Sequence, residues 1–471
     1  MLTRASIIHV CLAIAIAALS GASASAQVEP PASGGAPAPE DDTRMMTPSL
    51  LSGSLYSTTA AADIRQNIFT TGLTVTGAWV DNVFPGETNL TPGTPPIADE
   101  TISVFPSFTY LRATPRQEAT LNYSPGFTYY VPTSGLNSNT SGLNSFNQTA
   151  TVAFDGRVTQ HLSFDLQDDF VRTSNVFDSS YPFPSGGLTG STQTPNPSAV
   201  APFAEQVRNF ANAVFSYQFA RDAMVGGGGT FSESRFPNPS QAAGLYNSDA
   251  EGGSAFYSRR FSRRQYLGVR YEYDHIVGGN SGLQASDQIQ VDSQTQTFLP
   301  FYTVFFSRTI SLSAAGGATR TTVSQSGEAT TTSWGGSTVL SLAWQGEKGS
   351  LSSSFLRTVS SGPGLIGAFN SVSANLNGGW KISHFWNASA AFTYSNVEPV
   401  SPLESVFTYQ GGNSLMAQAE LTKTWKEHFA MLWGYQRLHQ QFYDVLAISA
   451  NPDTDRVFVS LTYNYQKPLG R

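Results

Sequence analysis

The stretch Arg456-Val457-Phe458-Val459-Ser460-Leu461-Thr462-Tyr463-Asn464-Tyr465 alternates residue by residue. Val457, Val459, Leu461, Tyr463 and Tyr465 share one parity, and Arg456, Phe458, Ser460, Thr462 and Asn464 share the other. Successive side chains of a strand point to opposite faces, so this strand has one apolar face and one mostly polar face. The same beat recurs from Asn67 onward, in segments separated by alternately brief and long connections. Hydrocarbon offers no hydrogen bonds, so a sheet crossing a bilayer must close on itself, and each tilted strand then needs only about 9–11 residues. The pattern predicts an all-β chain folded as an antiparallel transmembrane β-barrel of about 18 strands, with short periplasmic turns and long extracellular loops.

Working backward from that last strand, the first runs through Phe69, Leu73, Val75 and Trp79. Arg112-Ala113-Thr114-Pro115-Arg116 joins segments 101–111 and 117–130, and Thr159-Gln160-His161 joins 147–158 to 162–171. Further tight connections fall near Arg221, Arg263, Arg308, Gly346, Ser383 and Lys426. The longest loop, 172–206, carries Tyr181-Pro182-Phe183-Pro184 and Gly186-Gly187; it is expected to cover the mouth, with folding into the lumen as the alternative. Tyr129 and Tyr130, Phe305 and Phe306, Trp344, Trp380, Trp386 and Trp425 stand near strand ends, as an aromatic girdle would.

Four regions follow: a signal peptide over 1–26, a disordered periplasmic linker over 27–66, the barrel over 67–465 and a tail over 466–471. The signal reading rests on Arg4, the apolar run from Ile7 to Leu19 and the small residues Ala24, Ser25 and Ala26. It predicts cleavage near Ala26 and export to a bacterial outer membrane. The linker is rich in Pro, Ala, Gly and Ser and cannot build a core, although Ser49 to Tyr56 could pair as an extra strand or tuck into the barrel. Leu19-Ser20-Gly21 resembles a lipoprotein box, but Ala22 stands where the lipidated cysteine belongs. Cys11 is the only cysteine, so residues 27–471 hold no thiol, disulfide or cysteine metal site. Charged residues are 13% of the chain, against ~25% in an average soluble domain; that scarcity suits a surface that faces lipid. The net charge of -7 disfavours nucleic acid as a partner.

Trp79-Val80-Asp81-Asn82-Val83-Phe84, Pro106-Ser107-Phe108, Tyr123-Ser124-Pro125-Gly126-Phe127 and Asn147 make the region 73–177 similar to the start of a bacterial outer-membrane β-barrel porin family whose members often accompany exopolysaccharide systems. The resemblance implies a barrel in the outer membrane and leaves its cargo open. The chain departs from the usual terminus of such barrels, because Tyr465 is followed by Gln466-Lys467-Pro468-Leu469-Gly470-Arg471.

Little in the sequence points to covalent chemistry. His161, His275, His384, His428 and His439 form no metal-ligand spacing, and Gly226-Gly227-Gly228-Gly229 lacks the lysine of a phosphate loop. No catalytic residue, metal or cofactor is assigned. Function is expected inside the barrel. Candidate pore-lining residues are Glu251, Arg259, Arg270 and Glu272, as a mixed charged wall, with Asp165 and Glu420 on parities opposite their apolar neighbours. Structural ion pairing competes with pore lining for the first four, because the sequence does not fix strand register. The expected partners are outer-membrane lipid and small polar solutes or saccharide chains. The leading expectation is a passive, porin-like channel; the rival is a non-conducting barrel that anchors surface loops for interaction or adhesion. A hydrolase lacks a constellation, a TonB-dependent transporter would need a plug that roughly forty residues cannot supply, and a soluble solenoid or propeller would show a finer fixed repeat.

Overall fold

The computed structural model describes Met45 and residues 66–83, 97–131, 144–174, 205–238, 245–279, 290–307, 309–325, 330–361, 364–400, 411–425, 428–442 and 453–469. Its strands are β1 Gln66–Val83, β2 Ile97–Ala113, β3 Gln117–Val131, β4 Ser145–Arg157, β5 Leu162–Thr173 and β6 Gln206–Ala220. They continue with β7 Ala223–Arg235, β8 Asn247–Ser262, β9 Gln265–Gly279, β10 Gln290–Phe305, β11 Ile310–Gln325 and β12 Thr331–Gln345. The last six are β13 Gly349–Ser361, β14 Ala368–Lys381, β15 Trp386–Pro399, β16 Gly412–Trp425, β17 Phe429–Phe442 and β18 Asp453–Pro468.

Every strand pairs antiparallel with its sequence neighbour, and β1 pairs with β18, so the 18-stranded sheet closes. Closure removes both edges, as a lipid-facing sheet requires. Eight short turns gather at one end, here the turn end, and the longer connections at the other, the loop end. The turns lie where the sequence places them.

Closure runs further than the sequence suggests. Thr70, Phe69 and Ile68 pair with Gln466, Lys467 and Pro468, and the Leu469 N–H donates to the Asn67 carbonyl at 2.8 Å. The expected tail therefore begins inside β18. Apolar alternation stops at Tyr465, but backbone pairing does not depend on it, and β1 supplies hydrogen-bond partners beyond that point. On the inner face of this seam Thr74 meets Thr462 at 3.0 Å and Thr76 meets Ser460 at 2.8 Å, hydroxyl to hydroxyl. Such cross-strand pairs are the unit of sheet stabilisation.

The alternation of the last strand translates directly into exposure. Val457, Val459, Leu461, Tyr463 and Tyr465 are exposed on the outer wall, whereas Arg456 and Phe458 are buried on the inner one. Leu73, Val75 and Trp79 of β1 and Ile102, Val104 and Phe108 of β2 continue the apolar exterior. Near the turn end the outer face of β15–β17 carries stacked Trp386 and Trp433, ring centroids 5.7 Å apart, with the Lys423 ammonium 5.1 Å from Trp386 and 5.0 Å from Trp425. Amphipathic rings and a snorkelling lysine suit a membrane interface. The expected girdle needs one correction. Of two consecutive aromatics in a strand one must face inward: Tyr130 is 1% exposed on the inner wall beside Thr101, and Phe305 packs inside against Tyr266.

One ladder is interrupted. Pro300 has no N–H to give the ladder, and Leu299 and Pro300 are skipped in the β10–β11 pairing, which resumes at Phe301 opposite Ala315. A Cβ on neighbouring Gly317 would lie 1.7 Å from the Phe298 carbonyl oxygen, so only glycine fits there.

Candidate functional site in the barrel lumen

Residues paired directly across two strands share a face, so register converts parity into inside and outside. Arg270 of β9 pairs with buried Phe256, and Glu272 with Ser254; both point inward and form a 2.6 Å ion pair. Asp274 continues this inner row opposite Gly252, where a Cβ would meet the Asp274 carboxylate. Asp165 faces inward opposite Val214, and Glu420 inward opposite Ser389, whose hydroxyl donates to its carboxylate at 3.2 Å. The Gln418 amide donates to the same carboxylate. Gln418 pairs in turn with Gln436, which accepts from Arg456 at 3.3 Å.

Glu251 and Arg259 do not line the lumen. Tyr257 pairs with Val269 and Arg259 with Leu267, all on the exposed apolar face, and Glu251 on the same parity pairs with His275. Sequence parity groups Glu251 with Arg259 correctly but cannot say which face they occupy, because β8 carries an aromatic on each parity, Phe256 and Tyr257. Arg259 escapes the hydrocarbon by lying near the turn end, where it bonds Asp222 at 3.2 Å and sits 5.7 Å from the Phe261 ring. Glu251 lies toward the loop end, in an outer polar collar with the Arg235–Asp249 pair at 2.5 Å and the His275–Asp292 pair at 2.8 Å. The cost of a charge on the lipid side falls to about 0–1 kcal/mol near the interfaces.

The interior has two unlike walls. On β3–β5 Glu118, Asp155 and Asp165 stand directly across from one another near the turn end, and Asp155 and Asp165 are exposed. Gln167 and Asp169 extend this acidic wall upward, joined at 2.7 Å. Glu118 and Asp155 are absent from the residues singled out in the sequence. Their signal was there, since each opposes the parity of its apolar neighbours Ala119 and Phe154, but only register aligns three separate strands into one row.

The β6–β14 wall is instead apolar in three patches. Val214, Met224, Phe256, Tyr266 and Phe305 gather at the turn end; Leu299, Phe301, Ala315, Val339 and Leu356 at mid-height; and Val291, Val323 and Ala368 at the loop end. The connection between β13 and β14 folds inward onto the last patch. Gly364 pairs with Tyr246 through a 2.9 Å backbone bond, Leu365 is fully buried, and Ile366 packs on Val291 and Val323. Gly364 and Gly367 bracket the fold with positive φ of 84° and 99°. The loop 172–206, expected to cover the mouth with folding into the lumen as the alternative, lies outside the described residues except at its two ends, where Arg172 and Glu205 pair at 2.6 Å.

The histidines have ordinary surroundings. His428 bonds the Asn464 carbonyl at 2.9 Å, His439 meets Asp453 at 3.0 Å and His161 lies edge-on to Tyr217.

These features define an 18-stranded membrane-spanning β-barrel with an apolar exterior and a polar, partly charged interior. No protein-family model and no curated protein matches the chain. Among solved structures, it is similar to the outer membrane protein OpdK from Pseudomonas aeruginosa at 10% identity and TM-score 0.38, covering 85% of this chain and 99% of that one. P. aeruginosa OccK2 (OpdF), in complex with glucuronate, matches at 11% identity and TM-score 0.38, covering 85% and 98%. The FrpB iron transporter of Neisseria meningitidis matches at 9% identity and TM-score 0.39, covering 86% and 82%.

Proposed function

We propose that this chain is a passive outer-membrane channel for small polar solutes, its turn end in the periplasm and its loop end outside. The observation that carries the reading is the exposed inner pair Asp155 and Asp165, charged groups turned toward the interior of a closed barrel whose exterior is apolar. A barrel of 16–18 strands is wide enough for an aqueous path. No covalent step is needed: width and inward polar groups select what passes. Saccharide export is the narrower form, supported by the family resemblance. The test is reconstitution of the chain from Gln27 onward into a planar bilayer. Stable unit conductance is expected, reduced by saccharides that enter the lumen. A folded barrel without conductance in either orientation would favour the anchoring role.

A further inference from the structure

Met45 precedes β1 in sequence, yet it is buried inside the barrel, 8% exposed. It packs on Met224, Phe256 and Tyr266, with Val214 and Phe305 beside them. All five face inward from consecutive strands β6 to β10, near the turn end. The contact is not side chain alone. The Met45 backbone N–H donates to Gln218 Oε1 at 3.1 Å, while Gln218 Nε2 donates to the Arg221 carbonyl at 3.2 Å. One end of the Gln218 amide is thus anchored to the β6–β7 turn, and the other receives a peptide N–H from a residue 173 positions away. An apolar pocket with a fixed acceptor for a main-chain N–H beside it is one way a protein wall holds an extended peptide, with the backbone bond giving affinity and the pocket choosing the side chain.

We infer that the inner wall of β6–β10 is a docking site for the chain's own N-terminal segment, with Met45 as its anchor, and that this internal ligand narrows the periplasmic mouth. Gln66 opens β1, and in the closed ring β1 lies across from β8–β10. An extended chain from Met45 to Gln66 reaches about 70 Å, ample to join the two walls. The dock adjoins the acidic wall of β3–β5, since Val214 stands directly across the strand pair from Asp165. The narrowing rests on the channel reading above; the docking does not.

The test exploits a chain whose only cysteine is Cys11. In the folded barrel from Gln27 onward, Met45→Cys paired with Met224→Cys is expected to cross-link through a short bis-maleimide several-fold more than Met45→Cys with Phe458→Cys on the opposite inner wall. Met45→Cys with Val214→Cys repeats the measurement should Met224→Cys hinder folding. Equal or negligible cross-linking in both adjacent pairs would overturn the docking, whether or not the barrel conducts. In a bilayer, removing residues 27–60 is expected to raise unit conductance, and a synthetic peptide of residues 40–50 added on the turn-end side to lower it again. Cross-linking without any change of current in a conducting barrel would overturn the narrowing.

Discussion

Ile366, carried by the connection between β13 and β14, packs on Val291 of β10, three strands away across the inner face of the loop end. Fully burying such a side chain stabilises by ~1.5–3 kcal/mol, so the connection is held over the lumen by a contact that one substitution can remove. Ile366→Asp is expected to release it, shifting the docked population by about 2 kcal/mol, roughly thirtyfold. Single-channel recording should show larger or noisier openings with barrel stability unchanged. Identical current traces would mean that this connection does not restrict the path.

The row Glu118, Asp155 and Asp165 should make the lumen favour cations. Under a salt gradient the reversal potential is expected to lie on the cation side, and the triple amide variant Glu118→Gln, Asp155→Asn, Asp165→Asn to move it toward zero. Like charges directly opposite one another in a sheet repel by ~0.2–1 kcal/mol. The variant should therefore also unfold at a slightly higher temperature, a shift readable by gel mobility.

Inner and outer charges should behave differently. Glu272→Gln leaves the Arg270 guanidinium without its 2.6 Å partner on the lumen side and is expected to shift selectivity toward anions. Glu251→Gln, on the outer wall opposite His275, should leave selectivity where it was. A comparable shift from both would contradict the register.

Ending the chain at Tyr465 removes the pairs that Gln466, Lys467 and Pro468 make with β1. Each net backbone hydrogen bond contributes ~0.5–1.5 kcal/mol, so the truncated barrel should lose a few kcal/mol at its seam and lose its folded gel mobility at a lower temperature. Gln466→Ala with Lys467→Ala, which keeps the backbone, should not reproduce the loss.

Gly317→Val is expected to be worse than either, because the added Cβ would be driven into the Phe298 carbonyl of a neighbouring strand already disturbed by Pro300. Folding yield in detergent is the measurement, with Gly316→Val as the control, since a Cβ there meets nothing closer than 3.9 Å.

Much of this architecture is written locally. A strand has a period of two, so Val457 to Tyr465 announce an apolar face without knowledge of any partner, and eighteen such segments with alternately short and long connections define a closed antiparallel barrel. The inward direction of Asp165, Arg270, Glu272 and Glu420 could be read because each sits among neighbours of clear and opposite parity. Glu251 and Arg259 could not: β8 offers Phe256 to one face and Tyr257 to the other, and only pairing with Leu267 and Val269 decides between them. Register likewise assembles Glu118, Asp155 and Asp165, each unremarkable on its own strand, into one acidic row. The seating of Met45 on Gln218 and of Ile366 on Val291 has no local signature at all, because contacts between distant segments depend on closure of the ring and on which inner wall it brings within reach. The alternation determined that there would be a barrel and which residues share a face; the tertiary structure decided what stands inside it.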